Sequence, residues 1–314
     1  MTPLVSICVP VYNTSKYLEQ CLESLFNQSI AEECEYIFVN DCSSDNSLEI
    51  LSNYAKKYNK LSIKIISHEH NRGLAAARNS ALEASIGKYC LNIDSDDWCE
   101  LNYAEDMVDI AEEQEADIVN SSFSFIPDPK YDYIKGLLNH EFQVTIWNRL
   151  IKRDLFTQNN LKWVEGINVG EDVIISCKLF YYAKKIVSIP NIYYHYRHLI
   201  GFSTKLKKLR FLEQKRKQFD ELERFFIEKK CYHNYKEIID LRKAEVKFNY
   251  IKESSTFSIK KYKIYYPALK LQILLDKRSD FNSAKTKLFI NAIDSKKFIL
   301  ANILLFFYKI RKIR

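Results

Sequence analysis

Short apolar runs and amphipathic segments alternate through the first hundred residues, and this alternation limits the possible folds more than any other feature. Four apolar runs predict buried strands: Leu4 to Val9, Tyr36 to Val39, Leu61 to Ile66 and Tyr89 to Ile93. Apolar residues at helical spacing fill the intervals between them. Strands that alternate with helices predict right-handed βαβ units and a mostly parallel sheet, which is an α/β fold.

Three helices are predicted in those intervals. Ser15 is the expected N-cap of the first helix, and Asp45 is the expected N-cap of the second. The third helix is predicted from about Leu74 to Ala84. Each helix carries one apolar face that can cover the sheet.

Polar residues cluster where the predicted strands end. The first strand leads into Pro10-Val-Tyr-Asn13, the second into Asn40-Asp-Cys-Ser-Ser-Asp45 and the fourth into Asp94-Ser-Asp-Asp97. Open α/β sheets bind ligands outside the carboxyl ends of their strands. The sequence has neither a Gly-x-Gly-x-x-Gly motif after the first strand nor a P-loop motif, which argues against a dinucleotide dehydrogenase and a P-loop nucleotidase.

Charge is divided unevenly along the 314 residues. Residues 1–204 carry 18 Lys and Arg against 28 Asp and Glu, whereas residues 205–314 carry 29 against 12. The resulting net charges, −10 and +17, indicate two regions that meet different partners. We therefore expect one domain over residues 1–204 and a basic helical region over residues 205–314.

The eight cysteines are scattered and include no Cys-x-x-Cys pair. In a chain of this length they predict the reduced thiols of a cytoplasmic protein, in place of a disulfide framework or a zinc site. The first ten residues contain no basic segment and no apolar stretch of signal-peptide length, so we interpret them as a strand.

Six short motifs occur in an order that is more specific than any one of them. They are Pro10-Val-Tyr-Asn13, Val39-Asn-Asp-Cys-Ser-Ser-Asp-Asn-Ser47, Asn71-Arg-Gly-Leu-Ala-Ala-Ala-Arg-Asn79, Asp94-Ser-Asp-Asp97, Trp147-Asn-Arg-Leu150 and Gly170-Glu-Asp172. In these motifs the chain resembles glycosyltransferase family 2, the inverting sugar-nucleotide enzymes of GT-A fold. The resemblance covers roughly residues 3–204 and implies a GT-A catalytic domain over residues 1–204, followed by an all-helical extension.

The resemblance implies a nucleotide-sugar donor, most often a UDP-sugar. The family aspartate that matches Asp41 accepts a hydrogen bond from the uracil ring N–H, and a helix cap is the alternative for Asp41. Arg78 is expected to brace the nucleotide pocket or the acidic loop, with an ordinary ion pair as the alternative. The expected donor-binding residues are Pro10, Tyr12, Asn13, Asp41, Arg78, Asp94 and Ser95. The family commonly has Gly where this chain has Cys42.

Asp94 and Asp96 form an Asp-x-Asp pair whose side chains leave the strand end on the same side. Two such carboxylates suit Mn²⁺ or Mg²⁺, which would also bind diphosphate oxygens. The resemblance makes Asp96 the first metal ligand, places Asp94 nearer the ribose and adds His195 as a third ligand. The alternatives are a loop that caps the next helix, through Asp97, and a core histidine at position 195.

Gly170-Glu-Asp172 opens another predicted helix. The resemblance implies that Asp172 is the general base that takes the acceptor hydroxyl proton, while Glu171 orients or binds the acceptor. N-capping is the alternative for one of the two carboxylates. Trp147 is expected to form a wall against the acceptor or the sugar, and a buried core tryptophan is the alternative.

The basic region predicts helices at about 206–229, 233–253, 258–275 and 284–311. The apolar segment 298–308 is too short to span a bilayer and has basic residues at both ends. It predicts peripheral contact with an anionic membrane, and a plain packing helix is the alternative. We expect no nucleic-acid partner, since no binding motif occurs and residues 1–204 are acidic.

We therefore expect an inverting, metal-dependent transferase of a hexose or N-acetylhexosamine. It would move the sugar from a UDP-sugar to a hydroxyl of a glycan or lipid-linked glycan in surface polysaccharide synthesis. The expected location is the cytoplasm, with peripheral contact at the inner face of the cell membrane. A non-catalytic scaffold that binds sugar nucleotides or nucleic acid is the alternative, and the carboxylates at Asp41, Asp94, Asp96 and Asp172 argue against it.

Overall fold

A seven-stranded sheet organises the first of the two units into which the chain divides, Met1–Ile200 and Gly201–Arg314. The computed structural model describes residues 2–125, 127–128, 130–197, 208–253, 265–297, 299–301 and 303–304. Helices cover the sheet of the first unit, and the described part of the second unit is helical with connecting turns.

The sheet of the first unit is mostly parallel. Its order is β3-β2-β1-β4-β7-β6-β8, and a separate antiparallel pair is formed by β5 and β9. The strands are β1 (Val5–Val11), β2 (Cys34–Asn40), β3 (Ser62–Ser67), β4 (Tyr89–Asn92), β5 (Trp98–Cys99), β6 (Ile118–Asn120), β7 (Arg149–Lys152), β8 (Ile186–Ser188) and β9 (Tyr194–His195). Strands β1 to β4 run parallel as predicted, whereas β7 lies antiparallel between β4 and β6.

Seven α-helices belong to the described part of this unit. They are α1 (Ser15–Phe26), α2 (Ser47–Lys57), α3 (Leu74–Ala84), α4 (Tyr103–Glu113), α5 (Tyr133–Asn139), α6 (Arg153–Gln158) and α7 (Glu171–Tyr182). The predicted helix from Leu74 to Ala84 and the predicted helix start at Glu171 are confirmed.

The two faces of the sheet pack against different helices. Alternate residues of β1, among them Val9, pack with Leu18 and Leu22 of α1. Cys8 points to the other face, where it meets Ala77 and Ala81 of α3. The small alanine side chains let α3 lie close to the sheet. Arg78, which follows Ala77 in α3, therefore lies close to the carboxyl end of β4, where it pairs with Asp94.

The predicted N-cap at Ser15 is wrong. Ser15 is the first residue of α1, and the cap position is Thr14, whose side chain makes no capping hydrogen bond. Asp45 takes over part of that role, because its Oδ2 accepts a hydrogen bond from the Ser15 amide at 3.0 Å. The N-cap position of α2 is Asn46, one residue after the predicted Asp45. Oδ1 of Asp45 still accepts from the amide and the hydroxyl of Ser47, so one carboxylate serves the starts of α1 and α2.

The second unit contains α8 (Lys208–Glu228), α9 (Tyr232–Glu253), α10 (Gln272–Lys277) and α11 (Ala284–Asp294) among its described residues. The second of these confirms the helix predicted at 233–253 to within one residue. The first confirms the helix predicted at 206–229 over 208–228, and residues 206–207 lie outside the described part. The helix predicted at 258–275 is wrong over 265–271, which form turns, and its residues 258–264 lie outside the described part.

The helix predicted at 284–311 is interrupted after Asp294. Lys296 adopts a left-handed conformation with φ of 57°, and the Lys297 amide donates to the Ala292 carbonyl oxygen, which ends the helix. Residues 299–301 and 303–304 are helical again, and the rest of the predicted segment lies outside the described residues. Across the described chain, no helix combines the length and the apolar character needed to cross a membrane.

Candidate active site

Arg78 joins three carboxylates that come from distant parts of the chain. Its side chain is 1% exposed. One terminal nitrogen donates to Asp94 Oδ1 at 3.0 Å, and the other donates to Asp172 Oδ1 at 2.5 Å and lies 3.7 Å from Glu171 Oε1. Asp94 follows β4, and the other two acids open α7. Arg78 therefore connects the acidic loop after β4 with the start of α7.

Three carboxylates facing one guanidinium leave an excess of negative charge. Burial, together with repulsion from Asp172, raises the pKa of Glu171. Burial also raises the pKa of Asp172, and the positive charge of Arg78 opposes that shift. The two neighbouring acids at the start of α7 are therefore suited to taking up or sharing a proton, as a general base must.

The acidic loop is held from several sides. Ser95 accepts a hydrogen bond from the Thr14 hydroxyl at 3.0 Å. Asp97 accepts one from the Tyr194 hydroxyl at 2.7 Å and one from the Arg197 amide at 2.7 Å, and the same tyrosine oxygen accepts from the Asp94 amide. Burial raises the pKa of Asp97 to about 7. Asp97 therefore fixes the loop, but it does not cap the next helix, α4, whose N-cap position is Asn102.

Asp96 differs from its neighbours. Within the described residues its carboxylate forms no ion pair and accepts no hydrogen bond from another side chain, whereas its backbone carbonyl oxygen accepts one from Arg197 Nε at 3.0 Å. Burial and the nearby charge of Asp94 raise its pKa. An ionised Asp96 beside Asp94 would be stabilised by a cation, and two carboxylates are a hard-oxygen donor set that suits Mg²⁺ or Mn²⁺. The donor set therefore agrees with the metal implied by the resemblance.

His195 lies in β9, opposite Trp98 of β5. Its Nε2 is 2.6 Å from Glu100 Oε1, and its ring stacks on that of Trp98 with 5.1 Å between centroids. No group of three or more His, Cys, Asp or Glu side chains that could hold a metal occurs in the described ranges. A bound Mg²⁺ commonly has only one or two carboxylate ligands and completes its shell with phosphates and water, so the metal site stays a prediction.

The loops that follow β1 and β2 are tied together. Asn13 Oδ1 accepts a hydrogen bond from the Ser44 amide at 2.8 Å, and the Asn13 amide donates to the Ser43 hydroxyl. Pro10 lies inside β1, whereas the Tyr12 side chain is 50% exposed at the strand end. These residues form one edge beside the acidic loop, and donor binding at this edge stays a prediction.

Asp41 is buried and already has several partners. Its carboxylate accepts hydrogen bonds from the amides of Arg72 and Gly73 at 2.9 and 2.7 Å, and His68 Nδ1 lies 2.7 Å from Oδ1. Asp41 thereby anchors the loop that leads into α3, at whose start Gly73 has a φ of 88°. His68 was not predicted as a site residue, since an isolated histidine before a loop carries no motif. The uracil contact of Asp41 stays a prediction.

Trp147 is only 7% exposed. Its ring stacks on Tyr194 with 4.1 Å between centroids and lies parallel to Tyr196 at 6.2 Å. The burial agrees with the alternative of a core tryptophan. Tyr196 is half exposed, and burial together with the negative charges of the acidic loop raises its pKa. Tyr196 was not predicted as a site residue, and the tyrosines on both sides of His195 were the available signal.

Comparison with known proteins identifies the family. The family model described as glycosyl transferase family 2 matches residues 6–182, more than half of the chain. The chain belongs to this family. It is 35% identical over 227 residues to the putative glycosyltransferase EpsH of Bacillus subtilis, and the match covers 66% of this chain and 64% of EpsH. The chain thus spans slightly less than two thirds of that relative.

Solved structures with a similar fold support the GT-A assignment. TarS residues 1–349 of Staphylococcus aureus in complex with UDP-GlcNAc match 98% of this chain and 91% of that chain, with a TM-score of 0.66 and 21% identity. The mannosyltransferase PcManGT of Pyrobaculum calidifontis, in complex with GDP-Man and Mn²⁺, matches with a TM-score of 0.56 and 16% identity. At these identities the likeness shows the fold alone, and it confirms the predicted GT-A class with its helical C-terminal region.

The buried ion-pair cluster predicts the effect of removing its cation. We expect Arg78→Met to lower the free energy of unfolding by about 3–5 kcal/mol at neutral pH, because it leaves three partly buried carboxylates without their common partner. Without Arg78, the pKa values of Glu171 and Asp172 in the folded protein lie further above their values in the unfolded chain. Folding then takes up protons, so the stability lost in Arg78→Met should become smaller as the pH falls toward about 5. Urea denaturation at both pH values measures this.

Arg72→Met is the matched control. Arg72 pairs with Glu165 at 3.3 Å, and both side chains are well exposed. Its loss should lower stability by less than about 1 kcal/mol, with little dependence on pH. Equal losses for the two variants would contradict the central role of the buried cluster.

Proposed function

We propose that the protein is an inverting glycosyltransferase that moves a monosaccharide from a nucleotide sugar, most commonly a UDP-sugar, to a hydroxyl of a glycan or lipid-linked glycan. The observation that carries this proposal is the bridge formed by Arg78, which holds a carboxylate of the acidic loop and a carboxylate of α7 on one guanidinium. A transferase needs both groups near each other, one on the donor side and one beside the acceptor hydroxyl.

Asp172 is the proposed general base. The acceptor oxygen forms a bond to the anomeric carbon while the bond from that carbon to the diphosphate oxygen breaks, and the hydroxyl proton passes to Asp172. A single displacement of this kind inverts the configuration at the anomeric carbon. Arg78 orients the Asp172 carboxylate through the 2.5 Å hydrogen bond and favours its ionised form. Glu171 is placed to orient the acceptor.

Asp96 and Asp94 would hold a Mn²⁺ or Mg²⁺ ion together with the donor diphosphate, and His195 remains a candidate third ligand. When bound, the ion supplies Lewis-acid stabilisation of the charge on the departing nucleoside diphosphate. The chain's own contribution is to fix the loop that carries these acids, through Ser95 and Asp97.

The donor half of the site lies at the ends of β1, β2 and β4. Tyr12 offers an exposed ring for a base, and Asn13 and Asp41 order the adjoining loops. The relatives support a role in polymer synthesis: one is the poly(ribitol-phosphate) beta-N-acetylglucosaminyltransferase TarS of Staphylococcus aureus, 28% identical over 202 residues. We assign catalysis to residues 1–204, since every proposed site residue lies there.

A donor panel tests this function and the metal together. UDP-glucose, UDP-galactose, UDP-N-acetylglucosamine and GDP-mannose are each incubated with the protein, with and without Mn²⁺, and nucleotide release is measured. We expect turnover of at least one UDP-sugar that depends on the ion and is lost in Asp96→Asn, because that variant removes a charged ligand. Turnover of no donor would contradict the proposed function, whereas full activity of Asp96→Asn would contradict only the metal role.

Replacing the general base should separate turnover from binding. We expect Asp172→Asn to lower the turnover number by ~10²–10⁴-fold while donor affinity changes little, because the base acts only on the acceptor proton. Glu171→Gln is the comparison variant, with a smaller expected loss. If Glu171→Gln lost turnover and Asp172→Asn kept it, the base would be Glu171.

We further propose peripheral contact of the second unit with an anionic membrane, at the cytoplasmic face. Residues 205–314 carry 29 basic against 12 acidic residues. Near their end, Ile299 is 81% exposed, and Leu300 and Ile303 are also exposed. Ala301 and Leu304 face the core of this unit instead. Exposed apolar side chains beside basic residues favour insertion at the headgroup boundary.

Substitution tests this contact better than truncation, since a cut would remove the core residues Ala301 and Leu304. We expect Ile299→Glu/Ile303→Glu to reduce co-sedimentation with vesicles containing phosphatidylserine, and we expect wild-type binding to weaken as salt rises. Leu209→Glu/Ile227→Glu, at two other exposed positions, is the charge-matched control and should reduce binding less. Equal binding of the two double variants would leave the terminal segment as a packing element.

A further inference from the structure

A second arginine is buried behind α7. The guanidinium of Arg149, in β7, is completely inaccessible to solvent. Its Nε donates to Asn120 Oδ1 at 2.9 Å, and its terminal nitrogens donate to the Ser176 hydroxyl at 3.3 Å and the Gln143 carbonyl oxygen at 3.0 Å. The ring of Phe180 lies 5.3 Å from its central carbon. Neutral groups from β6, α7 and the loop before β7 thus surround it.

Among the described residues, no carboxylate lies within ion-pair distance of Arg149. A buried cation with only neutral partners is unfavourable, and burial accordingly lowers the pKa of Arg149 to about 10. A nearby negative charge would stabilise the charged form of such a guanidinium. Asp172 supplies such a charge, which stabilises the guanidinium, and it lies in the first turn of α7, the helix that also supplies Ser176 and Phe180.

We propose that Arg149 is a positioning residue for the transfer reaction, which fixes α7 against β6 and β7 and supplies a second positive charge behind the Asp172 carboxylate. This inference rests on the proposed function of Asp172 as general base. Arg149 itself touches neither the acceptor nor the donor in this role. Its contribution is to keep the base ionised without forming a hydrogen bond to it.

The charges around Asp172 come from four elements. Arg78 of α3 pairs with it directly, Asp94 approaches from the end of β4, Glu171 precedes it in α7 and Arg149 lies in β7. Two acids thus oppose ionisation of Asp172 and two arginines favour it. Because burial already raises the pKa of Asp172, loss of one arginine charge should move it further into the range where the base is protonated.

Asn120→Asp tests the charge without removing Arg149. The substitution is isosteric and places a carboxylate against Nε of Arg149, which would form an ion pair and cancel the positive charge that Asp172 senses. We expect the acid limb of the pH–rate profile to move up by about one pH unit and the turnover number near neutral pH to fall by ~10-fold, with donor affinity unchanged. The measurement uses the UDP-sugar with the highest wild-type rate in the panel.

Ser188→Ala is the matched control, because Asn120 also donates to the Ser188 hydroxyl at 3.2 Å and this variant removes that contact without adding charge. Its pH–rate profile should match that of the wild type. Arg149→Lys should keep the acid limb near its wild-type position, whereas Arg149→Met should shift it upward. Thermal unfolding of each variant separates a loss of stability from a shift of the profile.

The outcomes distinguish the role of Arg149 from the proposed glycosyltransferase function. An unshifted acid limb in both Asn120→Asp and Arg149→Met, with active wild type, overturns the role of Arg149 and leaves the proposed function intact. A shift of equal size in Ser188→Ala also overturns it. Absence of wild-type turnover with every donor contradicts the proposed function, and this inference with it.

Discussion

The burial of one guanidinium among three carboxylates is the interaction on which the rest of the site depends. The buried guanidinium of Arg78 is stabilised by its anionic partners, and the closest of them, Asp172, lies 94 residues further along the chain. The fold must therefore bring the start of α7 to the middle of α3. Any arrangement of the first unit that failed to do so would leave a buried charge without a partner.

Helix α3 also holds the segment that precedes α7. Asn79, next to Arg78, donates to the Trp163 carbonyl oxygen at 3.0 Å and accepts from the Trp163 amide at 2.8 Å. This two-way contact holds the segment before α7, which then turns at Gly170 with a φ of 85°. At the other end of α3, the amide of Gly73 binds Asp41. One short helix thus connects the proposed nucleotide edge, the acidic loop and the proposed base.

The sequence predicted the elements with strong local signals and missed those that depend on distant partners. The parallel strands and α3 follow from apolar periodicity, whereas β7 was missed because its pairing with β4 is set by the tertiary fold. No local pattern indicates that the Tyr194 hydroxyl holds Asp97. The family commonly has Gly where this chain has Cys42. The structure supplies the reason, because Cys42 adopts a φ of 60°, a left-handed conformation that favours glycine.

The two buried arginines act on the proposed base in different ways. Arg78 forms a hydrogen bond to Asp172, which fixes the orientation of the carboxylate but occupies one of its oxygens. Arg149 acts at longer range and leaves those oxygens to other partners. A base must remain ionised while an oxygen stays able to accept the acceptor proton. Arg78 alone would orient the Asp172 carboxylate but would leave it less able to accept the proton. The charge of Arg149, behind α7 where solvent cannot screen it, keeps Asp172 ionised and leaves an oxygen of Asp172 able to accept the proton.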